Sequence, residues 1–472
     1  MIGRKEEQRI LNDLASSGEA EFIVIYGRRR IGKTYLVRET FGNEFFFSYT
    51  GVANCTAKQQ RTEFAKALRE HGWRPKDGGP SVPDNWFEAF DALRALIIGA
   101  QTTDRLLIFI DEMPWMDNIK SDFVPAFENF WNGWASGQKN IKLIVCGSAA
   151  SWITKKIFRN KGGLYNRTTR QIALKPFTLS ECSEYYSSRG VVMNTQDLIE
   201  SYMIFGGIPY YLRMIEKRYS LVLNVDRICF EKEAPLRYEF DRLMDTLFAN
   251  PSKYVQVLEA LHTKKQGLTR EAIARLIDFG NGGNLSRILL ELEECGFIRK
   301  YKPFGKGKNY ALFHLADPFT AFHLTFIRKT DSENFWSSYA DNAGHRAWSG
   351  YAFEQVCLAH IKEIKNALGI SGVLTDVCSW ISRSGNNGAQ IDLVIDRGDR
   401  VINLCEIKFS KGPFEIDRAY DLTLRGKIEV FRSETKTRKA LHLTMITTYG
   451  VKPGKYAGIV QSEINIDKLI ER

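Results

Sequence analysis

Short apolar runs alternate with amphipathic stretches over roughly the first third of the chain. Residues 22–26, 45–49, 106–110, 142–146 and 170–174 read as strands. Apolar positions recur at helical spacing between them, as at 57–71 and 86–98. This alternation predicts a parallel sheet covered on both faces, with ligands at the carboxyl ends of its strands. Strand character then stops. Residues 179–188, 196–204 and 210–215 have helical spacing. From Asn250-Pro251 the pattern predicts helices at 254–262, 268–277 (N-cap Thr269) and 284–295 (ended by Gly296), then strands at 297–301 and 309–314 around Gly305-Lys306-Gly307. A last region begins with a helix from Trp348 to near Lys362. Strands at 390–395 and 401–409 follow, joined by a turn at Arg397-Gly398-Asp399-Arg400.

The first strand runs into Gly27-Arg28-Arg29-Arg30-Ile31-Gly32-Lys33-Thr34, and a helical stretch starts at Tyr35. That is the G-x-x-x-x-G-K-[ST] phosphate loop in its strand–loop–helix context. Gly27, Arg28, Arg29, Arg30, Ile31, Gly32, Lys33, Thr34 and Tyr35 are the expected nucleotide-binding stretch. Glycines allow the tight turn, the backbone amides and the helix N-terminus favour phosphate, Lys33 reaches the β- and γ-phosphates, and the Thr34 hydroxyl can ligate Mg²⁺. Arg28, Arg29 and Arg30 fill variable positions and are expected to face solvent or another domain.

The run 106–110 ends in Asp111-Glu112. Asp111 is expected to hold Mg²⁺ and Glu112 to orient and deprotonate the attacking water. The alternative is a helix N-cap acid ahead of Pro114. Ser148, after the run 142–146, can sense the γ-phosphate or position water, or simply cap the following turn.

These residues together resemble the AAA+-related archaeal-type ATPases, whose relatives include the regulatory STAND NTPases. Ile2-Gly3-Arg4-Lys5-Glu6 is similar to that family's N-terminal G-R-x-x-E box, and Gly147-Ser148 to its sensor motif. Leu164-Tyr165-Asn166-Arg167-Thr168 is similar to its L-Y-G-R-x segment, with Asn166 in the glycine position, so a different local backbone is expected there. Gly206-Gly207-Ile208-Pro209-Tyr210-Tyr211-Leu212 is similar to the G-G-x-P-x-Y-L signature of a helical lid. The resemblance implies that the box lies near the adenine, that Pro209 lies near the base, and that Arg167 answers the γ-phosphate in cis or from a neighbouring subunit. A surface arginine in a basic loop (Lys155, Lys156, Arg159, Lys161) is the other reading of Arg167.

The chain has 472 residues, which predicts two to four domains. The expected division is a P-loop ATPase core at 1–177, a helical lid at 178–250, a winged helix-turn-helix at 251–325 and an α/β restriction-endonuclease-like domain at 335–472. No apolar run approaches a membrane span, the start of the chain is charged, and the cysteines are scattered singly. A cytoplasmic protein with reduced core cysteines and no membrane partner is expected. A net charge of +11 suits DNA or a solvated basic surface equally.

In the middle region, Asn284, Ser286 and Arg287 open the third helix, and Arg299, Lys300, Lys302, Lys306 and Lys308 line the hairpin. DNA contact is expected there, although Glu291, Glu293 and Glu294 would repel phosphate. In the back region, Gln390-Ile391-Asp392 and Glu406-Ile407-Lys408 resemble the D-x(n)-[DE]-x-K core of the PD-(D/E)XK nucleases, without the proline of that name. Strand alternation puts Glu406 and Lys408 on one face and Ile407 in the core. Asp392, Glu406 and the Ile407 carbonyl can bind Mg²⁺ or Mn²⁺, Lys408 can orient water, and Glu354 resembles the helix acid that some members add. A solvated hairpin with a cross-strand acid/base pair is the alternative.

The combined expectation is an ATP-hydrolysing switch coupled to a DNA-binding, metal-dependent nuclease domain. The alternative is a STAND-like regulatory ATPase that binds DNA or a protein without cutting. An arginine acting in trans would require a homo-oligomer.

Overall fold

The computed structural model describes every residue outside 76–80, 119–120, 160–161, 278–282, 308–309, 340–341, 383–388 and 472. The chain forms two compact units, Met1–Lys175 and Pro176–Arg472. The regions expected at 178–250, 251–325 and 335–472 all lie in the second.

The first unit is built on five parallel strands: β1 Glu21–Tyr26, β2 Phe47–Thr50, β3 Leu106–Asp111, β4 Ile141–Gly147 and β5 Arg170–Ala173. Their order is β2-β3-β4-β1-β5. The register pairs Ile25 with Cys146 and Ile110 with Val145. The carboxyl ends of β1, β3 and β4 therefore stand side by side. Every residue of β3 and β4 is buried, which matches strands covered on both faces. The helices Ala57–Glu70, Trp86–Gly99 and Phe123–Gly133 cover the sheet through Phe64, Trp86, Phe90 and Phe127. Each such ring contributes roughly 1.5–3 kcal/mol on burial.

The second unit starts with the helices Leu179–Ser188 and Thr195–Phe205. Gly206 and Gly207 follow at φ 65° and 67°. Gly207 is required on two counts. Its φ lies in the left-handed region, and a Cβ there would meet the Tyr202 ring at 2.9 Å and the Phe177 carbonyl. Three helices, Pro251–Thr263, Arg270–Leu276 and Gly283–Glu294, precede an antiparallel hairpin of β6 Ile298–Tyr301 and β7 Leu312–Leu315. The Thr269 hydroxyl accepts from the Ala272 N–H and caps the second of them. β7 starts later than the pattern suggests. The chain after β6 leaves the hairpin at Pro303 and Phe304 to pair with Ser379 instead.

The back region holds a five-stranded mixed sheet in the order β12-β11-β10-β9-β8. Its strands are β8 Thr375–Ile381, β9 Gln390–Arg397, β10 Val401–Lys408, β11 Ala440–Thr447 and β12 Ser462–Asn465. β8, β9 and β10 run antiparallel, and β10, β11 and β12 run parallel. The helix Arg418–Thr435 connects β10 to β11 and packs Leu424 and Phe431 into the sheet core. The helix expected from Trp348 begins earlier, at Ala343 behind the Asn342 cap, and ends at Ala359. It breaks at His360, whose Nδ1 bonds the Val356 carbonyl while Nε2 accepts from the Leu179 N–H.

Candidate functional site

The phosphate loop joins β1 to the helix Lys33–Thr40. Gly27 sits at φ 140° with its Cα against the Leu174 carbonyl and Ile31, so any side chain there would push the loop off β5. Gly32 follows at φ 89° and opens the helix. The Lys33 ammonium is buried and donates to the carbonyls of Gly27 (3.1 Å) and Arg28 (3.0 Å), which folds it back along the loop. Arg28 is buried rather than solvent-facing, and Arg29 and Arg30 are half-buried. Tyr35 is exposed.

Arg4 supplies a brace that the sequence pattern did not reveal. It is buried, with φ 56°, and its guanidinium donates to the carbonyls of Ile31 (3.3 Å) and Lys175 (2.5 Å). Glu7 lies 3.8 Å from the same guanidinium. The box at the start of the chain thus ties the phosphate loop to the segment after β5. The Ile2-Gly3-Arg4-Lys5-Glu6 box was its signal in the sequence, without the carbonyls it would reach.

The end of β3 lies across from the loop. The Thr34 hydroxyl donates to Asp111 Oδ2 at 2.7 Å, and the Glu112 N–H donates to Asp111 Oδ1 at 2.9 Å. Burial raises the Asp111 carboxyl above its ordinary value, with the Thr34 hydrogen bond and Lys33 pulling it back. Glu112 sits at φ 46°, a left-handed geometry that costs a residue with a Cβ about 1–2 kcal/mol. Its carboxylate turns to β4, where Oε2 accepts from the Ser148 hydroxyl (2.7 Å) and N–H (3.3 Å). Thus Lys33, Thr34, Asp111, Glu112 and Ser148 come together at one end of one sheet.

This set fits ATP with Mg²⁺. The Gly27 and Gly32 backbone makes a turn with no room for a side chain at Gly27, and Lys33 has ammonium hydrogens to offer phosphate oxygens. Thr34 and Asp111 are paired hard oxygen donors of the kind Mg²⁺ prefers. A cation there would offset the burial of the Asp111 charge.

Arg167 is exposed on the turn before β5. Glu128 Oε1 accepts from the Gly163 N–H at 2.6 Å and the Asn132 amide donates to the Gly163 carbonyl at 2.8 Å, anchoring that turn. Among the described residues the Arg167 side chain has no hydrogen bond or ion pair. Asn166 takes φ 56°, the left-handed conformation that suits glycine. Asparagine tolerates that region better than most residues that carry a Cβ. Lys161 lies outside the described residues. Pro209 opens the helix Pro209–Leu212 in the second unit.

The second cluster lies on the back sheet. β9 and β10 pair Leu393 with Cys405, and continuing the register sets Asp392 opposite Glu406. Asp392 Oδ2 accepts from the Ile407 N–H at 3.1 Å. Ile407 is buried, as alternation requires, and Lys408 Nζ lies 3.7 Å from Glu406 Oε2. Burial and the nearby Asp392 charge push the Glu354 carboxyl up to about 7. Glu354 and Asp392 line a shallow cleft together with Lys265, Gln355 and Gln390.

Two expectations change here. Among the described residues, no three His, Cys, Asp or Glu side chains are grouped so as to hold one metal ion. Glu354, Asp392 and Glu406 are thus not gathered as one such group, and Glu406 pairs with Lys427 Nζ at 2.6 Å. The hairpin is also not free for phosphate contact along its length. Phe304 donates its N–H to the Ser379 carbonyl (2.9 Å) and packs on Phe431 with ring centroids 5.1 Å apart. Lys302 lies 3.9 Å from Asp376, and Arg299 donates to the Tyr301 hydroxyl at 2.7 Å. Lys308 lies outside the described residues. Glu291 accepts from the Tyr254 hydroxyl inside the helical module and keeps its charge.

The described cysteines form no disulfide, and all but Cys55 are buried. Among the described residues no helix is long and apolar enough to cross a membrane.

The parallel sheet and its loop define the fold class, an α/β domain of P-loop type. Residues 1–215 match a family described as an ATPase domain predominantly from Archaea. An uncharacterized protein of Methanocaldococcus jannaschii is 26% identical over 475 aligned residues, covering 99% of this chain and 98% of that one. Among solved structures, a Walker-type ATPase of Pyrococcus abyssi is similar with a TM-score of 0.49 and 16% identity, over 69% of this chain and 96% of that chain. The ORC2 protein of Aeropyrum pernix, in ADPNP–ADP complexes, is similar with a TM-score of 0.39 and 16% identity, over 72% and 96%.

Proposed function

We propose that the first unit binds ATP with Mg²⁺ and hydrolyses it. The pairing of Glu112 with Ser148 at 2.7 Å, beside the Thr34–Asp111 pair, carries this reading. Mg²⁺, when bound, would neutralise phosphate charge, and Thr34 and Asp111 would hold it. Lys33 would turn from the loop carbonyls to the phosphates. Glu112 would take a proton from water while Ser148 fixes its carboxylate. Arg167, on an anchored and exposed turn, suits presentation to a neighbouring copy, which supports a homo-oligomer. Turnover that is unchanged in Lys33→Ala would remove the ATPase reading.

We further propose that the second unit binds DNA and that hydrolysis controls this binding. The three helices and hairpin form a winged-helix order in support, with Asn284, Ser286 and Arg287 opening the third helix. The Asp392, Glu406, Lys408 and Glu354 cluster supports a nuclease-like domain. For cleavage, Mg²⁺ or Mn²⁺ there would share the Glu406 carboxylate with Lys427, which holds Oε1. Incubating DNA with either metal, with and without ATP, beside Asp392→Ala and Lys408→Ala, tests this; cutting that persists in both variants is contamination. The pairing of Glu406 with two lysines favours a second reading, a regulatory ATPase whose back domain binds DNA or a protein without cutting.

A further inference from the structure

Glu406 has a partner that its own motif does not contain. Lys427 Nζ lies 2.6 Å from Glu406 Oε1, whereas the motif lysine, Lys408, lies 3.7 Å from Oε2. Lys427 comes from the helix Arg418–Thr435, 21 residues beyond Glu406. It stands between Leu424 and Phe431 at helical spacing, and both of those are fully buried. An ammonium is thus built onto the core-facing stripe of a helix, where an apolar residue would ordinarily stand.

Glu406 is 1% exposed, so its charge needs compensation. One lysine would supply that. The second exceeds what Glu406 alone needs, and it faces the Asp392 charge that also acts on Glu406. Lys408 lies over the Tyr420 ring at 5.7 Å, and the Tyr420 hydroxyl donates to Glu406 Oε2 at 3.3 Å. On the other side, Glu354 and Asp392 are acidic. Both lysines remain partly accessible, Lys427 at 21% and Lys408 at 33%. An ammonium has three N–H donors, and the bond to Glu406 engages one of those of Lys427.

We propose that Lys427 is a further substrate-contacting residue, forming with Lys408 a dibasic seat for a backbone phosphate of a nucleic-acid strand. The inference rests on the reading that the back domain binds nucleic acid. It does not require that the domain cuts.

The test is binding of a fluorescein-labelled single strand to the full chain in Ca²⁺, over a salt series. The proteins are wild type, Lys427→Ala, Lys427→Arg and the double variant Glu406→Gln/Lys427→Met. Lys427→Ala is expected to bind about tenfold more weakly. Its slope of log affinity against log salt should be shallower by about 0.7, the loss of one phosphate contact on a single strand. Lys427→Arg should stay within about threefold of wild type, since the charge is kept. The double variant removes the buried charge with its partner, so it should fold like wild type yet bind like Lys427→Ala. An unchanged salt slope in Lys427→Ala would overturn the proposal. So would wild-type binding by the double variant, which would make Lys427 only a counter-ion. Absence of cleavage in Mg²⁺ or Mn²⁺ alongside the expected binding losses would sink the nuclease reading and leave Lys427 in place.

Discussion

The Ser148 hydroxyl donates to Glu112 Oε2 at 2.7 Å and joins the ends of two neighbouring strands. Glu112 takes a left-handed backbone to make this contact, so its carboxylate is held by β4 as well as by its own strand. Ser148→Ala should therefore lower kcat for ATP about 10- to 100-fold, because the base loses its orientation and keeps its charge. Nucleotide affinity should stay near wild type. A matched loss in binding and turnover would make Ser148 part of the nucleotide pocket instead.

Arg4 spans the Ile31 and Lys175 carbonyls. Removing it leaves buried acceptors without a donor and frees the phosphate loop. Arg4→Ala should raise the KM for ATP about tenfold, the worth of one or two charged hydrogen bonds. The melting temperature of the first unit should fall with it. Steady-state kinetics and calorimetry would check both; an unchanged KM would reduce Arg4 to a packing role.

Gly207 has φ 67° and no space for a methyl group beside Tyr202 and the Phe177 carbonyl. Gly207→Ala should destabilise the second unit by more than about 2 kcal/mol, since strain and a clash act together. Urea unfolding followed by tryptophan fluorescence reads this directly. A loss no larger than that of an exposed glycine would contradict the packing described.

Two buried histidines give the second unit a pH dependence. Burial, helped by Arg299, pulls His314 down to about 4, and burial, helped by Arg328, does the same for His323. Both are neutral in the folded unit, while the unfolded chain takes up protons near the ordinary value of 6.5. Their stability contribution is thus intact above pH ~6.5 and is lost as pH falls towards ~4. Each is worth about 3 kcal/mol across that window. His323→Phe, which can stack on Phe240, should flatten part of the slope measured by urea melts at several pH values.

The first unit was legible because its signals are local. A buried strand, a glycine loop and a lysine-threonine pair specify the phosphate loop within a dozen or so residues, and Asp111-Glu112 ends an apolar run. Arg4 and Lys427 were not legible, since each acts on a partner that is distant in sequence: Arg4 on Lys175, Lys427 on Glu406. The lysine at the core-facing 424–427–431 spacing was the one visible hint. β8, β11 and β12 escaped for a related reason. They are short or interrupt their apolar pattern with polar residues, such as the exposed Asp376 and Glu463 and the half-buried His442, and pairing with neighbours rather than periodicity makes them strands. The seating of the hairpin was not legible either, because Phe304 rests on Phe431, a partner distant in sequence.

The central claim is that Lys33 and Glu112 serve ATP hydrolysis. Phosphate release from ATP and Mg²⁺ by wild type, Lys33→Ala and Glu112→Gln, with nucleotide affinity measured in parallel, tests it most directly. The account predicts turnover by wild type, loss of both binding and turnover in Lys33→Ala, and retained binding with at least about a 100-fold lower kcat in Glu112→Gln. Equal turnover in all three proteins would contradict it.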